Sequence, residues 1–334
     1  MDPRNRRALK DAAQHSLAAA SYDPKKIILI HTGISVIASL LATVLNFVLS
    51  QQIQSTGGLS GLGMRSILST AQSVLELIVL VAMPFWEAGY CYATLNIARG
   101  KEAAPSSLVE GFRRFAPLLR AYLLQVLIYS GVAIACFFLS THIYILTPLA
   151  DPMYEIVGSI NMDTAMSGSP IVLDEATQMA IMDAYTPMLL IFMVVFLVAM
   201  LVISYRFRMV NYLLLENPHM GAREALRISR FQVRGHKLSL FKLDLSFLWF
   251  YILQIMTTVL AYGDYLLALF EVPLPVSAEA AFFVFLILSL LCQGGVYYWA
   301  RNRVDVTYAH FYCATALPVR NTDDATPKNP WANM

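Results

Sequence analysis

Six stretches of this chain, near residues 27–50, 70–96, 119–146, 187–210, 239–262 and 277–300, are each long and apolar enough to cross a bilayer as a helix. No other feature constrains the fold as strongly. A backbone in hydrocarbon must satisfy its own N–H and C=O groups, which a helix does within one segment and an open sheet cannot. The second stretch contains Pro84, so a kink or tilt is expected there. Charged residues make up only 14% of the chain, against about 25% in soluble domains, which excludes an ordinary soluble fold. The expected architecture is all-α: a polytopic membrane protein with six transmembrane helices and short amphipathic cytoplasmic helices.

The basic residues orient these helices. Of the 24 Lys and Arg, 6 precede residue 27, 5 lie in 97–120, 8 in 206–242 and 4 after 300, leaving Arg65 alone on the opposite side. By the positive-inside rule both termini face the cytoplasm. Residues 1–26 then form a cytoplasmic segment, 27–313 the membrane domain, and 314–334 a polar cytoplasmic tail expected to be disordered. The opposite connection, 147–186, is acidic (Asp151, Glu155, Asp163, Asp174, Glu175, Asp183). Within it, residues 173–185 read as a short helix with Asp174 as N-cap.

Two features carry functional readings. In the stretch "GAREALRISRFQVRGHKLSLFKLDLSF" (221–247), Arg223, Arg227, Arg230 and Arg234 fall in one helical stripe about 60° wide. Such a stripe, continued by Lys237, suits anionic lipid head groups of the inner leaflet or a partner membrane protein. Second, Glu76, Glu87 and Asp244 are carboxylates within apolar stretches, where charge is costly and is usually paired or functional. Glu76 and Glu87 lie three turns apart on one face. Arg206 and Arg208 sit at a depth comparable to Asp244, so an intramembrane polar cluster of Glu87, Arg206, Arg208, Asp244 and Glu76 is expected.

Other motifs point to no chemistry. The glycines of "STGGLSGLG" (55–63) lack the Lys-Ser/Thr ending of a phosphate loop. His310 and Cys313 are two ligands and do not make a zinc site. No catalytic residues, metal site, cofactor motif or nucleic-acid patch is recognised, so the expectation is a non-enzyme without cofactor.

The run 204–247 resembles the bacterial integral membrane family catalogued as domain of unknown function 975. The resemblance rests on Asn217-Pro218, Ala222, Ser229-Arg230, Gly235-His236-Lys237, Leu240-Phe241, Leu243, Leu245-Ser246-Phe247 and Trp249-Phe250. The segment "GYCYATLNIARGKEAAPSSLVEGFRRF" (89–115) and the opening "RALKDAAQHSLAAA" are similar to the same family, so most of the chain is covered. The fourth helix departs from the pattern in lacking an Ile-Pro-Gly step. The resemblance implies a multi-helix protein of the bacterial cytoplasmic membrane with no known activity. Two functions follow as expectations. One is a module that organises inner-leaflet lipids or partner membrane proteins. The other is a small-solute transporter or permease subunit centred on Glu87 and Asp244.

Overall fold

A computed structural model describes residues 2–55, 62–167, 174–217, 219–270 and 277–316. It is 88% helical, with no strand among the described residues. Residues 56–61 of the glycine-rich stretch and 317–334 of the tail lie outside the described residues, while Ala314 and Thr315, expected in that tail, belong to the last helix. The chain divides into two compact units: Met1–Leu118, Asn211–Met220 and Phe231–Met334 form the first, Leu119–Val210 and Gly221–Arg230 the second.

In the first unit, α1 (Arg6–Ala18) is started by Asn5, whose side chain accepts from the Ala8 N–H at 3.2 Å. It is followed by α2 (Pro24–Ser55) and α3 (Leu62–Ala98). The helix α3 ends in a Schellman turn at Gly100, whose φ of 65° suits glycine. The Lys101 N–H reaches the Asn96 carbonyl at 2.9 Å and that of Gly100 reaches Ile97 at 3.1 Å. A 3-10 turn, Pro105–Val109, and the short α4, Glu110–Arg113, then fold back onto α3.

That return is backbone against backbone. A Cβ on Gly89 would lie 1.8 Å from the Leu108 carbonyl oxygen, and one on Gly111 would lie 1.9 Å from that of Phe85. Gly89 and Gly111 are therefore packing requirements, whereas Gly100 serves its turn.

The second unit contains α5 (Phe115–Ile145, from Leu119 on), α6 (Asp151–Ser167) and α7 (Glu175–Phe207). The Tyr144 hydroxyl donates to the Ala184 carbonyl at 2.8 Å, and Tyr144, Ala150 and Met188 form a small buried cluster. Asp174 caps α7, accepting from the Thr177 N–H at 3.2 Å, and this bonding holds its carboxyl below the usual range. The helix it starts does not stop at 185 as expected; it runs through Pro187 to Phe207. A break follows before α8 (Val210–Glu216). There Ser229 of α9 (Ala222–Val233) donates to the Arg206 carbonyl at 2.8 Å and accepts from the Met209 N–H at 3.3 Å. These groups would otherwise lack helical partners.

Returning to the first unit, α10 (Lys237–Ser246) and α11 (Leu248–Leu260) are bent by 61° at Phe247. The unbroken helix expected over 239–262 is thus two helices. The Phe247 N–H turns back to the Asp244 carbonyl at 2.9 Å, and Lys10 of α1 donates to the Ser246 carbonyl at 3.4 Å over the Phe247 ring. The freed carbonyls at the end of α10 thereby gain donors. Burial, then Arg6, holds the Lys10 pKa below its ordinary value. The chain closes with α12 (Gly263–Leu269), α13 (Ala278–Val296), a π turn at Tyr297–Arg301 and α14 (Asn302–Thr315).

Five helices are long and apolar enough to cross a membrane, or six if the bent α10–α11 pair is one span. Their middles are largely unburied: Leu80 is 71% exposed and Leu127 69%. Such surfaces suit lipid. Burial concentrates instead on α14, where Val304, Val306, Ala309 and Phe311 are at most 1% exposed. The packed core therefore lies at one end of the long helices.

Gly89→Ala and Gly111→Ala should each destabilise the protein by about 3 kcal/mol, because backbone cannot yield as a side chain can. Gly33→Ala, whose added Cβ meets nothing within 4 Å, should be neutral or slightly stabilising. Thermal unfolding in detergent distinguishes them.

Candidate functional site

The side chains that stand out chemically are gathered on α14 and the π turn before it. A π turn carries an extra residue and re-aims its side chains; here it delivers Arg301. The guanidinium lies between the rings of Tyr90 (4.7 Å) and Tyr297 (4.6 Å). Its Nη2 pairs with Glu87 of α3, and its Nε donates to Asp305 at 3.2 Å. The Arg301 side chain is only 12% exposed, whereas that of Glu87 is 43% exposed.

On the far side of Glu87, His31 of α2 is fully buried, with Nε2 3.8 Å from the Glu87 carboxylate. The imidazole stacks on Trp86 (5.4 Å, 6°), and the Trp86 indole donates to the His31 carbonyl at 3.1 Å. One residue beyond Arg301, Asn302 accepts from the Tyr90 hydroxyl at 2.7 Å and donates to the Pro24 carbonyl at 2.9 Å. The start of α2, the last third of α3 and the start of α14 are thus joined through one polar cluster.

Two further contacts follow along α14. The Tyr308 hydroxyl donates to Asp244 of α10 and lies 3.0 Å from the Tyr251 hydroxyl of α11, so it spans the bend. Tyr312 donates to Glu216 at 2.5 Å, and Glu216 pairs with Arg99 at 2.5 Å. Ser16 of α1 and His310 are 2.9 Å apart.

Two of the acids read from the sequence are engaged by side chains outside the expected set. Glu87 is engaged by Arg301, which was not among the expected partners. Asp244 is engaged by Tyr308, and lies in α10 ahead of the bend. Glu76 is exposed and accepts from Gln72 one turn earlier at 3.5 Å, apart from the Glu87 contacts. Arg206 and Arg208 are half-buried at the end of α7, in the other unit. Arg223, Arg227 and Arg230 are exposed on α9, while Ala225, Leu226, Ile228, Ser229 and Val233 are buried. The helix ends at Val233, so Arg234 projects from the following turn and Lys237 opens α10, both exposed.

The residues the sequence reading missed are Arg301, Asn302, Asp305, Tyr308 and Tyr312. A signal was present: Arg301, Asp305, Tyr308 and Tyr312 recur at i, i+4, i+7 and i+11, one face of a helix. It lay beyond the last apolar stretch, in residues read as the exit from the membrane.

These long apolar helices and their polar end define an all-α polytopic membrane protein. The chain belongs to the family described as Protein of unknown function (DUF975), whose model matches residues 1–315. That match ends where α14 ends. No curated protein and no solved structure matches the chain.

Arg301→Gln should destabilise the protein by about 3 kcal/mol, the low end for a broken buried pair because Glu87 keeps some solvent. Arg301→Lys should recover part of this, since it restores charge but not the planar fork. Asp244→Asn and Tyr308→Phe should show a coupling of about 0.5–3 kcal/mol in a double-mutant cycle. Unfolding in detergent measures all three.

Proposed function

We propose that this chain is a non-enzymatic module of the bacterial cytoplasmic membrane that gathers anionic inner-leaflet lipids, and through them or directly other membrane proteins. The observation that carries the reading is the arginine row of α9. Arg223, Arg227 and Arg230 are exposed, with Glu224 the one acid exposed on the same helix, while Ala225, Leu226, Ile228, Ser229 and Val233 are buried, and none of the three arginines has an ion-pair partner among the described residues. Arg234 and Lys237 extend the positive surface.

A guanidinium offers a planar donor fork that fits phosphate. Each basic residue close to an anionic membrane surface contributes about 1 kcal/mol. A helix that is already folded presents such a row without a backbone-ordering cost at the moment of binding. In this reading the basic connections and both termini face the cytoplasm, where anionic lipid and basic loops meet. The alternative, solute transport around a shared Glu87–Asp244 centre, draws less support, because Arg301 of the π turn engages Glu87 while Tyr308 of α14 engages Asp244.

Changing Arg223, Arg227, Arg230 and Arg234 together to Gln should leave insertion and thermal stability intact. In bilayers of mixed anionic and zwitterionic lipid, the enrichment of anionic lipid beside the protein should fall severalfold, and raised salt should weaken the wild-type enrichment as well. Unchanged enrichment in the variant would sink the proposal.

A further inference from the structure

A shallow, open groove of about 380 Å³ runs along one side of α11, lined by Tyr251, Gln254, Ile255, Thr258 and Val259 of that helix. That volume falls within the range of small-molecule sites. The polar groups along it are mostly committed. The Tyr251 hydroxyl meets that of Tyr308 at 3.0 Å, and the Thr258 hydroxyl donates to the Gln254 backbone carbonyl at 3.0 Å. The exception is the Gln254 side chain, a half-buried carboxamide with no hydrogen-bond partner among the described residues. An amide in hydrocarbon without a partner is costly.

The depth of that amide identifies what it can meet. Trp249 and Trp299 are exposed and packed edge-to-face at 5.2 Å, with Tyr298 exposed beside Trp299 in sequence. Exposed Trp and Tyr mark the head-group level of a membrane protein. Gln254 follows Trp249 by five residues, at most about 7.5 Å deeper along the helix. The zone between head groups and hydrocarbon is of this thickness, and it is where the ester carbonyls of a glycerolipid lie. The groove carries no charge, so it matches a neutral carbonyl better than a phosphate. Beyond Gln254, Ile255, Val259 and the Thr258 methyl offer an apolar path for an acyl chain.

We infer that this groove binds one ester-linked diacyl glycerolipid, with the Gln254 carboxamide donating to an ester carbonyl and an acyl chain lying along Ile255, Thr258 and Val259. The site is separate from the α9 arginine row in both residues and chemistry.

The test uses the full chain in detergent, native mass spectrometry, and two probes: dioleoyl phosphatidylglycerol and its diether analogue, which has no ester carbonyl. Wild type should retain the ester lipid about two- to tenfold better than the ether, the range of one net hydrogen bond. Gln254→Leu should lose the preference, and Thr258→Trp should reduce retention of both probes by filling the groove. Should Thr258→Trp fail to fold, the Gln254→Leu comparison decides alone. Neutralising the α9 arginines should lower overall retention of this anionic lipid but keep the ester preference, which separates the two sites. Equal retention of ester and ether by wild type would overturn the inference. So would a photo-crosslinking residue at position 255 that labels the protein's own helices in a bilayer and leaves lipid unlabelled.

Discussion

A guanidinium leaves water only where anions and rings receive it, and Arg301 is the residue that meets this condition here. Its charge is shared between Glu87 and Asp305 and covered by Tyr90 and Tyr297. Removing either carboxylate would leave a charge in a poorly solvated place, which costs more than the intact pair contributes. This requirement orients α14 against α3. Once α14 is oriented, Asn302 reaches the start of α2, Tyr308 reaches α10 and α11, and Tyr312 reaches Glu216. The π turn makes this possible by turning Arg301 toward Glu87 at the end of an otherwise regular helix.

The molecule divides its stabilising interactions by environment. Along the middle of the long helices, large apolar side chains are exposed and lipid solvates them, so they contribute little to packing one helix on another. At the polar end the opposite holds. There α14 is buried although its sequence is no more apolar than a surface helix, and its polar groups are met by side chains from five other helices. The glycine contacts between α3 and the 3-10 turn belong to this end too: close backbone approach replaces the apolar side-chain packing of a soluble core.

In the proposed reading two chemistries for lipid are combined: the α9 arginines present charge to phosphate, and the α11 groove presents a neutral amide to a carbonyl. Lipid selection by head group and by chain linkage would thus reside on different helices, each held by its own contacts: α9 by Ser229 on the break after α7, α11 by the Tyr251–Tyr308 pair.

Much of the fold was legible in the sequence because hydrocarbon imposes simple demands. Apolar length marked the crossing helices. Asp174 was readable as a cap, and the α9 arginines as an exposed stripe, because both depend on local periodicity. The partners of Glu87 and Asp244 were not readable. An ion pair inside a membrane protein is set by which helices touch and in what rotation, and depth along the sequence does not specify either. Arg301 and Tyr308, in residues read as leaving the membrane, engage Glu87 and Asp244. The bend at Phe247 was hidden for the same reason: an apolar run shows that a segment tolerates lipid, while the turn within it depends on Lys10, 236 residues away in sequence, reaching the carbonyl that the bend exposes.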